Sequence, residues 1–184
     1  MFLDRDGTLN VRPGEHEYVT SAKDFAWIPG ARKAVGRLAR NGYVLTVVSN
    51  QRGVGRGLVP REVLRAIERR IQQDLAIEGC AIEGFRYCFH RDEDGCECRK
   101  PRPGMILDLA EELDLDLAAS WVIGDAPSDV AAGRAAGCRT ALVGGTRADA
   151  DLIVPSLAAA GAAIVDGLQS AASESSSSNS ATRA

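Results

Sequence analysis

Short apolar runs alternate with helical stretches along most of this chain. Runs of strand length occur at residues 2–3, 43–48, 85–88, 121–123 and 139–143. Between them, apolar side chains recur at helical spacing over residues 31–40, 62–77, 104–113 and 128–136. This alternation is typical of a mostly parallel sheet with helices on both faces, so we predict a three-layer α/β fold.

The 184 residues are enough for one domain of ordinary size. We expect this domain to cover residues 1–168, with a last strand at 152–154 and a short helix at 162–165. Residues 169–184 are rich in serine and have no apolar pattern, so we predict a disordered tail there.

The charge balance argues against several classes of partner. The chain has 22 basic and 25 acidic residues, which give a net charge of −3. No basic excess points to nucleic acid or to a membrane surface, and no apolar run approaches the ~20 residues of a membrane span. The start of the chain has no basic segment followed by an apolar one, so no signal peptide is predicted. We expect a cytoplasmic, monomeric protein.

Polar side chains follow three of the predicted strands. Asp4 follows the first run, Ser49 follows the second, and Asp125 comes two residues after the run at 121–123. Because ligands of open α/β sheets bind beyond the carboxyl ends of the strands, these side chains should meet at one edge of the sheet. A hard cation such as Mg²⁺ would allow several carboxylates to share that edge.

The opening sequence MFLDRDGTLN places two carboxylates one residue apart. Strand alternation predicts that Asp4 and Asp6 point the same way, with Arg5 turned aside. Beside a cation, one aspartate could attack phosphorus as a nucleophile, while the other donates a proton to the leaving oxygen and then activates water. Taken alone, the pair favours the simpler interpretation of a capped turn with two incidental acids.

A cluster of cysteines indicates a second metal site. Cys88, His90, Cys96 and Cys98 form the pattern C-x-H-x5-C-x-C. Three thiolates and one imidazole are a closed tetrahedral set for structural Zn²⁺, and residues 91–95 have no apolar side chain to order them. The alternative is a set of unrelated buried cysteines, but cysteines that only pack prefer apolar surroundings.

Four motifs together resemble those of the haloacid dehalogenase-like (HAD) phosphohydrolases. DRDGT matches the first motif, Ser49 the second, Lys100 in CRKP the third and GDAPSD the fourth, in family order. The resemblance implies a Rossmann-like fold in which Asp4 is the nucleophile that forms an aspartyl-phosphate and Asp6 is the general acid/base. Ser49 and Lys100 would hold the transferring phosphoryl oxygens, with help from backbone amides near Asn50.

The same resemblance implies a magnesium site at the first and fourth motifs. Mg²⁺ would be bound by the Asp4 carboxylate, the Asp6 main-chain carbonyl and the Asp125 carboxylate. Asp129, one helical turn beyond Asp125, would support the site without binding the metal directly.

The cysteine pattern and the segment SNQRGVGRG resemble one branch of this superfamily, the heptose 1,7-bisphosphate phosphatases and the related histidinol-phosphate phosphatases. That branch lacks a cap domain, and here there is room only for a flap after Asn10 and for a glycine-rich loop after Ser49. Arg99 is predicted to contact a second anionic group of the substrate. The other predicted substrate-binding residues are Asn50, Gln51 and Arg52.

The leading hypothesis is a Mg²⁺-dependent phosphatase that removes the 7-phosphate of D-glycero-D-manno-heptose 1,7-bisphosphate, a small phosphorylated sugar. The alternative enzyme is a histidinol-phosphate phosphatase with the same site. A receiver domain phosphorylated on aspartate also uses acids, Mg²⁺, a hydroxyl and a lysine, but it needs neither the acid/base Asp6 nor a zinc loop. An inactive zinc-stabilised binding module would lack a catalytic group, and none is missing.

Overall fold

Six parallel strands form one sheet through the middle of the molecule. This computed structural model describes residues 1–12, 14, 17–145 and 149–167. The strands are β1 (Phe2–Leu3), β2 (Thr46–Asn50), β3 (Gly84–Cys88), β4 (Trp121–Gly124), β5 (Arg139–Val143) and β6 (Leu152–Val154). Their order across the sheet is β3-β2-β1-β4-β5-β6, and every neighbouring pair is parallel. The predicted α/β fold with a parallel sheet is confirmed.

Helices connect most of these strands. They are α1 (Ala31–Arg40), α2 (Arg52–Gly55), α3 (Arg61–Ala76), α4 (Gly104–Glu112), α5 (Pro127–Ala135) and α6 over residues 157–167. Short 3₁₀ turns occur at Ala22–Asp24 and Asp92–Asp94. Pro29, Pro60 and Pro103 lie just before α1, α3 and α4, where the missing amide hydrogen of proline removes no helical hydrogen bond.

Two segments differ from the predictions. Residues 52–55 were expected to be part of a glycine-rich loop, but they form α2, and the amides of Arg56 and Gly57 donate to the carbonyls of Arg52 and Val54. The last helix is longer than the predicted segment at 162–165, because its apolar side chains also cover the sheet from Leu157 onwards. Both segments are rich in glycine or alanine, so their apolar periodicity is weak.

Alternate residues of the central strands pack on opposite faces of the sheet. Leu3 and Ile123 belong to an apolar cluster with α1, α3 and α6. Phe2 and Val122 belong to a second cluster with α4 and α5. A parallel sheet buried in this way leaves the carboxyl ends of its strands as the accessible edge, since the connecting helices cover both faces.

The strand order reverses between β1 and β4. β1 pairs with β2 on one side and with β4 on the other, and the Asp4 amide donates to the Ile123 carbonyl at 2.9 Å. Asp4 and Asp125 therefore lie on adjacent strand ends at the position where the order reverses, which is where open α/β sheets bind ligands.

No separate cap domain is formed by the residues that the structure describes, in which the segment from Asn10 to α1 has only the turn at Ala22–Asp24 and single β-bridges. Within the same residues, no helix has the length and apolar character needed to cross a bilayer. The predicted tail at 169–184 lies outside the described residues.

Candidate active site

Lys100 lies between two buried carboxylates at the carboxyl edge of the sheet. Its Nζ is 2.6 Å from Oδ1 of Asp4 and 2.6 Å from Oδ1 of Asp129, and it donates to the Val48 carbonyl at 2.9 Å. Oδ2 of Asp129 accepts from the Ala126 amide at 3.0 Å, so both of its oxygens have partners. Because a buried charge needs a nearby countercharge, Lys100 joins three segments that are distant in sequence.

Two glycines allow the acidic side chains to come this close. A Cβ atom on Gly7 would lie 2.0 Å from Oδ2 of Asp125, and Gly7 also has a φ of 96°. A Cβ atom on Gly124 would lie 2.2 Å from Oδ2 of Asp129. Any larger residue at these positions would displace an acid, which explains the glycines of DRDGT and GDAPSD in terms of space rather than flexibility alone.

Arg12 approaches the oxygens that are predicted to bind Mg²⁺. Its Nη2 donates to Oδ1 of Asp125 at 2.8 Å and to the main-chain carbonyl of Asp6 at 3.4 Å. One oxygen from each of Asp4, Asp125 and Asp129 lies within 4.8 Å of the others. Asp125 and the Asp6 carbonyl thus accommodate a cationic group, and oxygen donors of this kind are the ligands that Mg²⁺ prefers.

The Asp6 carboxylate is held by three side chains. Arg5 donates to Oδ1 through Nε at 3.1 Å and through Nη2 at 2.8 Å, and Nη2 also donates to Oδ2 at 2.7 Å. Asn10 Nδ2 donates to Oδ1 at 3.0 Å, and Gln51 Nε2 donates to Oδ2 at 2.7 Å. The predicted alternation is wrong for Arg5, which pairs with Asp6 because the chain leaves the extended conformation after Asp4 and turns about the Arg5 carbonyl.

The environments of the two acids in the first motif differ. Burial raises the pKa of Asp4 to about 7, and the Asp129 charge adds to the rise against the opposing effect of Lys100. Burial alone would lower the pKa of Lys100, but the two carboxylates raise it above its ordinary value. Burial alone would raise the pKa of Asp6, but the charge and hydrogen bonds of Arg5 lower it below its ordinary value. Asp6 is therefore favoured as a carboxylate, whereas Asp4 needs neighbouring positive charge to stay ionised.

The end of β2 connects these groups. Ser49 is buried, and its Oγ accepts from Nε2 of Gln51 at 3.0 Å, so Gln51 links Ser49 to Asp6. The Asn50 side chain donates to the Lys100 carbonyl at 3.0 Å and accepts from the Lys100 amide at 3.1 Å. Asn50 therefore fixes the backbone that carries Lys100, and its predicted contact with substrate remains a prediction.

Two adjoining cavities open at this edge of the sheet. The smaller one, of about 110 Å³, is lined by residues that include Asp4, Ser49 and Lys100. The larger one, of about 420 Å³, is lined by residues that include Arg52 and Arg99. The residues that line both cavities are Asp6, Arg12 and Asn50. The geometry suits an elongated ligand with one end at Asp4 and the other among arginines.

Asp92 holds the two arginines of the larger cavity. Nε of Arg99 donates to Oδ1 of Asp92, and Nη1 of Arg52 lies 3.7 Å from Oδ2 of the same residue. Arg99 also donates to the His90 carbonyl at 3.3 Å. The hydrogen bond from Arg99 lowers the pKa of Asp92. Both predicted substrate-binding arginines are thus anchored to the loop that carries the cysteine cluster.

The four predicted zinc ligands lie together in space. Sγ of Cys88 lies 3.7 Å from Nδ1 of His90, 3.7 Å from Sγ of Cys96 and 3.4 Å from Sγ of Cys98. Sγ of Cys98 lies 3.3 Å from Nδ1 of His90 and 3.5 Å from Sγ of Cys96. A tetrahedron with Zn–S bonds of about 2.3 Å has S–S edges of about 3.8 Å, so these separations fit one ion.

Known proteins share both the sequence and the fold. A family model for HAD-hydrolase-like proteins matches residues 97–171. D-glycero-beta-D-manno-heptose-1,7-bisphosphate 7-phosphatase of Pseudomonas aeruginosa is 36% identical over 143 residues, which are 78% of this chain and 79% of that protein. The chain belongs to the heptose-1,7-bisphosphate 7-phosphatase family. The predicted membership of the HAD superfamily, and of its phosphatases, is confirmed.

Further members of the heptose-1,7-bisphosphate 7-phosphatase family support this assignment. A D-glycero-alpha-D-manno-heptose-1,7-bisphosphate 7-phosphatase of Mycobacterium tuberculosis is 40% identical over 151 residues, which are 79% of each chain. The crystal structure of a D,D-heptose 1,7-bisphosphate phosphatase from B. bronchiseptica, complexed with magnesium and phosphate, has a TM-score of 0.84 and 32% identity. That match covers 91% of this chain and 98% of the other.

Three charged residues of this family member were not predicted to take part in the site. Arg5 was expected to turn aside, Arg12 was treated as part of a flap, and Asp92 as part of a polar loop. Arg5 adjoins the DxD pattern, but its partner depends on the turn that follows. Arg12 and Asp92 meet partners such as Asp125 and Arg52, which are distant in sequence, so no local pattern identifies them.

Proposed function

We propose that this chain removes the 7-phosphate of D-glycero-D-manno-heptose 1,7-bisphosphate through an aspartyl-phosphate on Asp4. The observation that carries the proposal is the contact of the buried Asp4 carboxylate with Lys100 in a small polar cavity, next to a larger cavity that contains two arginines. The family relationship favours the same substrate, because relatives that the chain matches over most of their length are named for it.

In the first step, an oxygen of the Asp4 carboxylate attacks the phosphorus of the 7-phosphate. The bond between phosphorus and the sugar oxygen breaks, and that oxygen takes a proton from Asp6 as the sugar leaves. Lys100 and Ser49 bind the transferring phosphoryl oxygens. Their role is to position the group and to balance its negative charge, which is the main requirement of phosphoryl transfer.

In the second step, the aspartyl-phosphate is hydrolysed. Asp6, which is now a carboxylate, takes a proton from a water molecule, and the water oxygen attacks phosphorus. The bond between phosphorus and the Asp4 oxygen breaks, so that inorganic phosphate leaves and the Asp4 carboxylate returns. Asp6 ends the cycle with the proton that it donates in the next turnover.

The acid cluster fits a resident Mg²⁺ ion. The Asp4 carboxylate, the Asp6 main-chain carbonyl and the Asp125 carboxylate would hold it, and Asp129 would orient Lys100 and the start of α5. When bound, the ion supplies positive charge that shields the phosphate from the acids. The position of Arg12 supports this assignment, since a cation already contacts Asp125 and the Asp6 carbonyl.

Arg52 and Arg99 bind the second phosphate, at carbon 1 of the sugar. Guanidinium groups suit phosphate because their donors match its oxygens. This pair favours a bisphosphate over histidinol phosphate, which carries no second phosphate. Asp92 keeps both side chains at the cavity wall before substrate arrives.

A Zn²⁺ ion bound by Cys88, His90, Cys96 and Cys98 orders the loop between β3 and Lys100. The separations of 3.3 to 3.7 Å between their sulfur and nitrogen atoms support a closed tetrahedral site. Such a site has no open position for substrate, so its role is structural. It fixes the loop from which Arg99 and Lys100 extend.

The test compares initial rates of phosphate release from four substrates: the α- and β-anomers of heptose 1,7-bisphosphate, fructose 1,6-bisphosphate and histidinol phosphate, each with Mg²⁺ and with chelator. We expect one heptose anomer to have the highest kcat/KM and chelator to abolish turnover. Asp4→Asn should lose turnover and remain folded. A preference for histidinol phosphate, or full activity of Asp4→Asn, would refute the proposal.

A further inference from the structure

Arg5 is almost completely inaccessible, although it lies at the edge of the active site. Its side chain is 2% exposed, whereas the Asp6 side chain is 23% exposed. A buried guanidinium is strongly destabilising unless a counterion and hydrogen bonds compensate for it. Arg5 therefore has little freedom to leave its position, and Asp6 is the partner that is open to the cavities.

The hydrogen bonds of Arg5 are concentrated on one carboxylate. Three donor contacts, from Nε once and from Nη2 twice, reach the two oxygens of Asp6. Nη1 has no hydrogen-bond partner in the part of the chain that the structure describes. A fork of this kind sets the plane of the carboxylate as well as its place, which a single point charge does not do.

Hydrogen bonds also connect Asp6 to Ser49, which is predicted to bind the phosphoryl group. Gln51 donates to Oδ2 of Asp6 at 2.7 Å and to Oγ of Ser49 at 3.0 Å. Asn10 donates to Oδ1 at 3.0 Å. Asn10 and Gln51 are both buried, so each oxygen of Asp6 accepts from a buried side-chain amide, while part of the Asp6 side chain stays accessible to the cavities.

We propose that Arg5 is a positioning residue that fixes the orientation of the Asp6 carboxylate for proton transfer to and from the reacting oxygens. This inference rests on the proposed phosphatase function, in which Asp6 serves both steps. Arg5 lines part of the larger cavity, but its donors are directed at Asp6, so its role is to act through Asp6 rather than on the reacting atoms. Its removal should slow the proton transfers and leave substrate binding nearly unchanged, since a misplaced catalytic group can cost about 10²-fold in rate.

The experiment compares Arg5→Met and Arg5→Lys with the native chain on two substrates. Heptose bisphosphate releases a sugar alkoxide that needs a proton from Asp6, whereas p-nitrophenyl phosphate releases an acidic phenol that does not. For Arg5→Met we expect kcat on the sugar to fall about 10- to 100-fold with KM within about twofold. In the first turnover, p-nitrophenol release should fall less than about threefold, and later turnovers should be slow, because water activation still needs Asp6.

Arg5→Lys keeps the positive charge and loses the fork, so its loss on the sugar should be intermediate. Arg32→Met is the matched control, because Arg32 forms an ion pair with Glu78 at 3.0 Å and lines neither of the two cavities. It should keep the native rates. Equal losses of Arg5→Met on both substrates in the first turnover, or no loss, would overturn the inference. If Arg5→Met does not fold, the same comparison of the two substrates is made with Arg5→Lys, and equal losses on both substrates in the first turnover would again overturn the inference.

Asp6→Asn separates this inference from the proposed function. If Asp6→Asn keeps the native kcat on heptose bisphosphate, Asp6 is not the acid/base, and the proposed mechanism fails together with the inference. If Asp6→Asn is inactive on the sugar and Arg5→Met behaves as the native chain, the mechanism stands and only the role of Arg5 is refuted.

Discussion

Replacement of Lys100 by methionine should destabilise the metal-free protein strongly. Lys100 keeps only 3% of its side chain exposed, and its Nζ is the cation shared by Asp4 and Asp129. Lys100→Met has similar length and shape but leaves two carboxylates buried without that charge. Removing one partner of a buried ion pair typically costs about 3–5 kcal/mol, because the other charge stays desolvated.

This free energy corresponds to a large change in melting temperature. For a chain of this size, 1 kcal/mol shifts Tm by about 2–4 °C, so Lys100→Met should melt about 6–20 °C below the native protein without metal. A cation near Asp4 replaces part of the lost charge. Mg²⁺ should therefore raise the Tm of Lys100→Met by more than it raises that of the native chain.

The assay is thermal and urea unfolding followed by circular dichroism, with chelator and with saturating Mg²⁺. Lys33→Met is the matched control, because Lys33 lies on the exposed face of α1, and its free energy of unfolding should change by less than about 0.5 kcal/mol. A loss below about 1 kcal/mol for Lys100→Met, or no extra stabilisation by Mg²⁺, would show that the lysine does not neutralise these acids.

Three further changes probe other parts of the site. Cys98→Ser should lower zinc content and Tm together, because metal binding is linked to folding, and an unchanged metal analysis would contradict the zinc site. Arg12 and Mg²⁺ should compete for Asp125, so Arg12→Ala should tighten Mg²⁺ binding about two- to fivefold in calorimetric titrations, since an exposed ion pair is worth up to about 1 kcal/mol. Weaker Mg²⁺ binding by the variant would refute this competition. The pKa of Asp6 is lowered in the folded state, so its charge stabilises the protein above the unfolded pKa of about 3.9, and this contribution is lost as the pH falls through the folded pKa. The difference in unfolding free energy between the native chain and Asp6→Asn should therefore shrink below about pH 4, and a constant difference in urea titrations would contradict the ion pair with Arg5.

The strand-end residues were predictable because their positions depend on local patterns and on one rule of sheet topology. Asp4, Ser49 and Asp125 each follow an apolar run, and parallel strands bring their carboxyl ends to a common edge. The cysteine cluster was predictable for a similar reason, since its four members lie within eleven residues. Helix ends were predicted to within about one residue where proline precedes the helix.

α2 was missed because its four residues are RGVG, and glycine has low helix propensity. It forms because it follows directly from the buried end of β2, where Gly53 lies against the ring of Tyr18 and a Cβ atom would approach that ring to 2.6 Å. Tertiary contact, rather than propensity, decides the conformation there.

The sequence by itself determined the sheet, its acidic edge and the cluster of three cysteines and one histidine, because short-range spacing and strand order are enough to bring those groups together. Only the tertiary structure decided which charges pair. Arg5 pairs with Asp6, and Lys100 pairs with both Asp4 and Asp129. Asp92 pairs with Arg52 and Arg99, which lie in different segments of the chain. Charge pairing depends on distances of a few ångströms between segments far apart in the chain, and side-chain spacing along the sequence contains no measure of those distances.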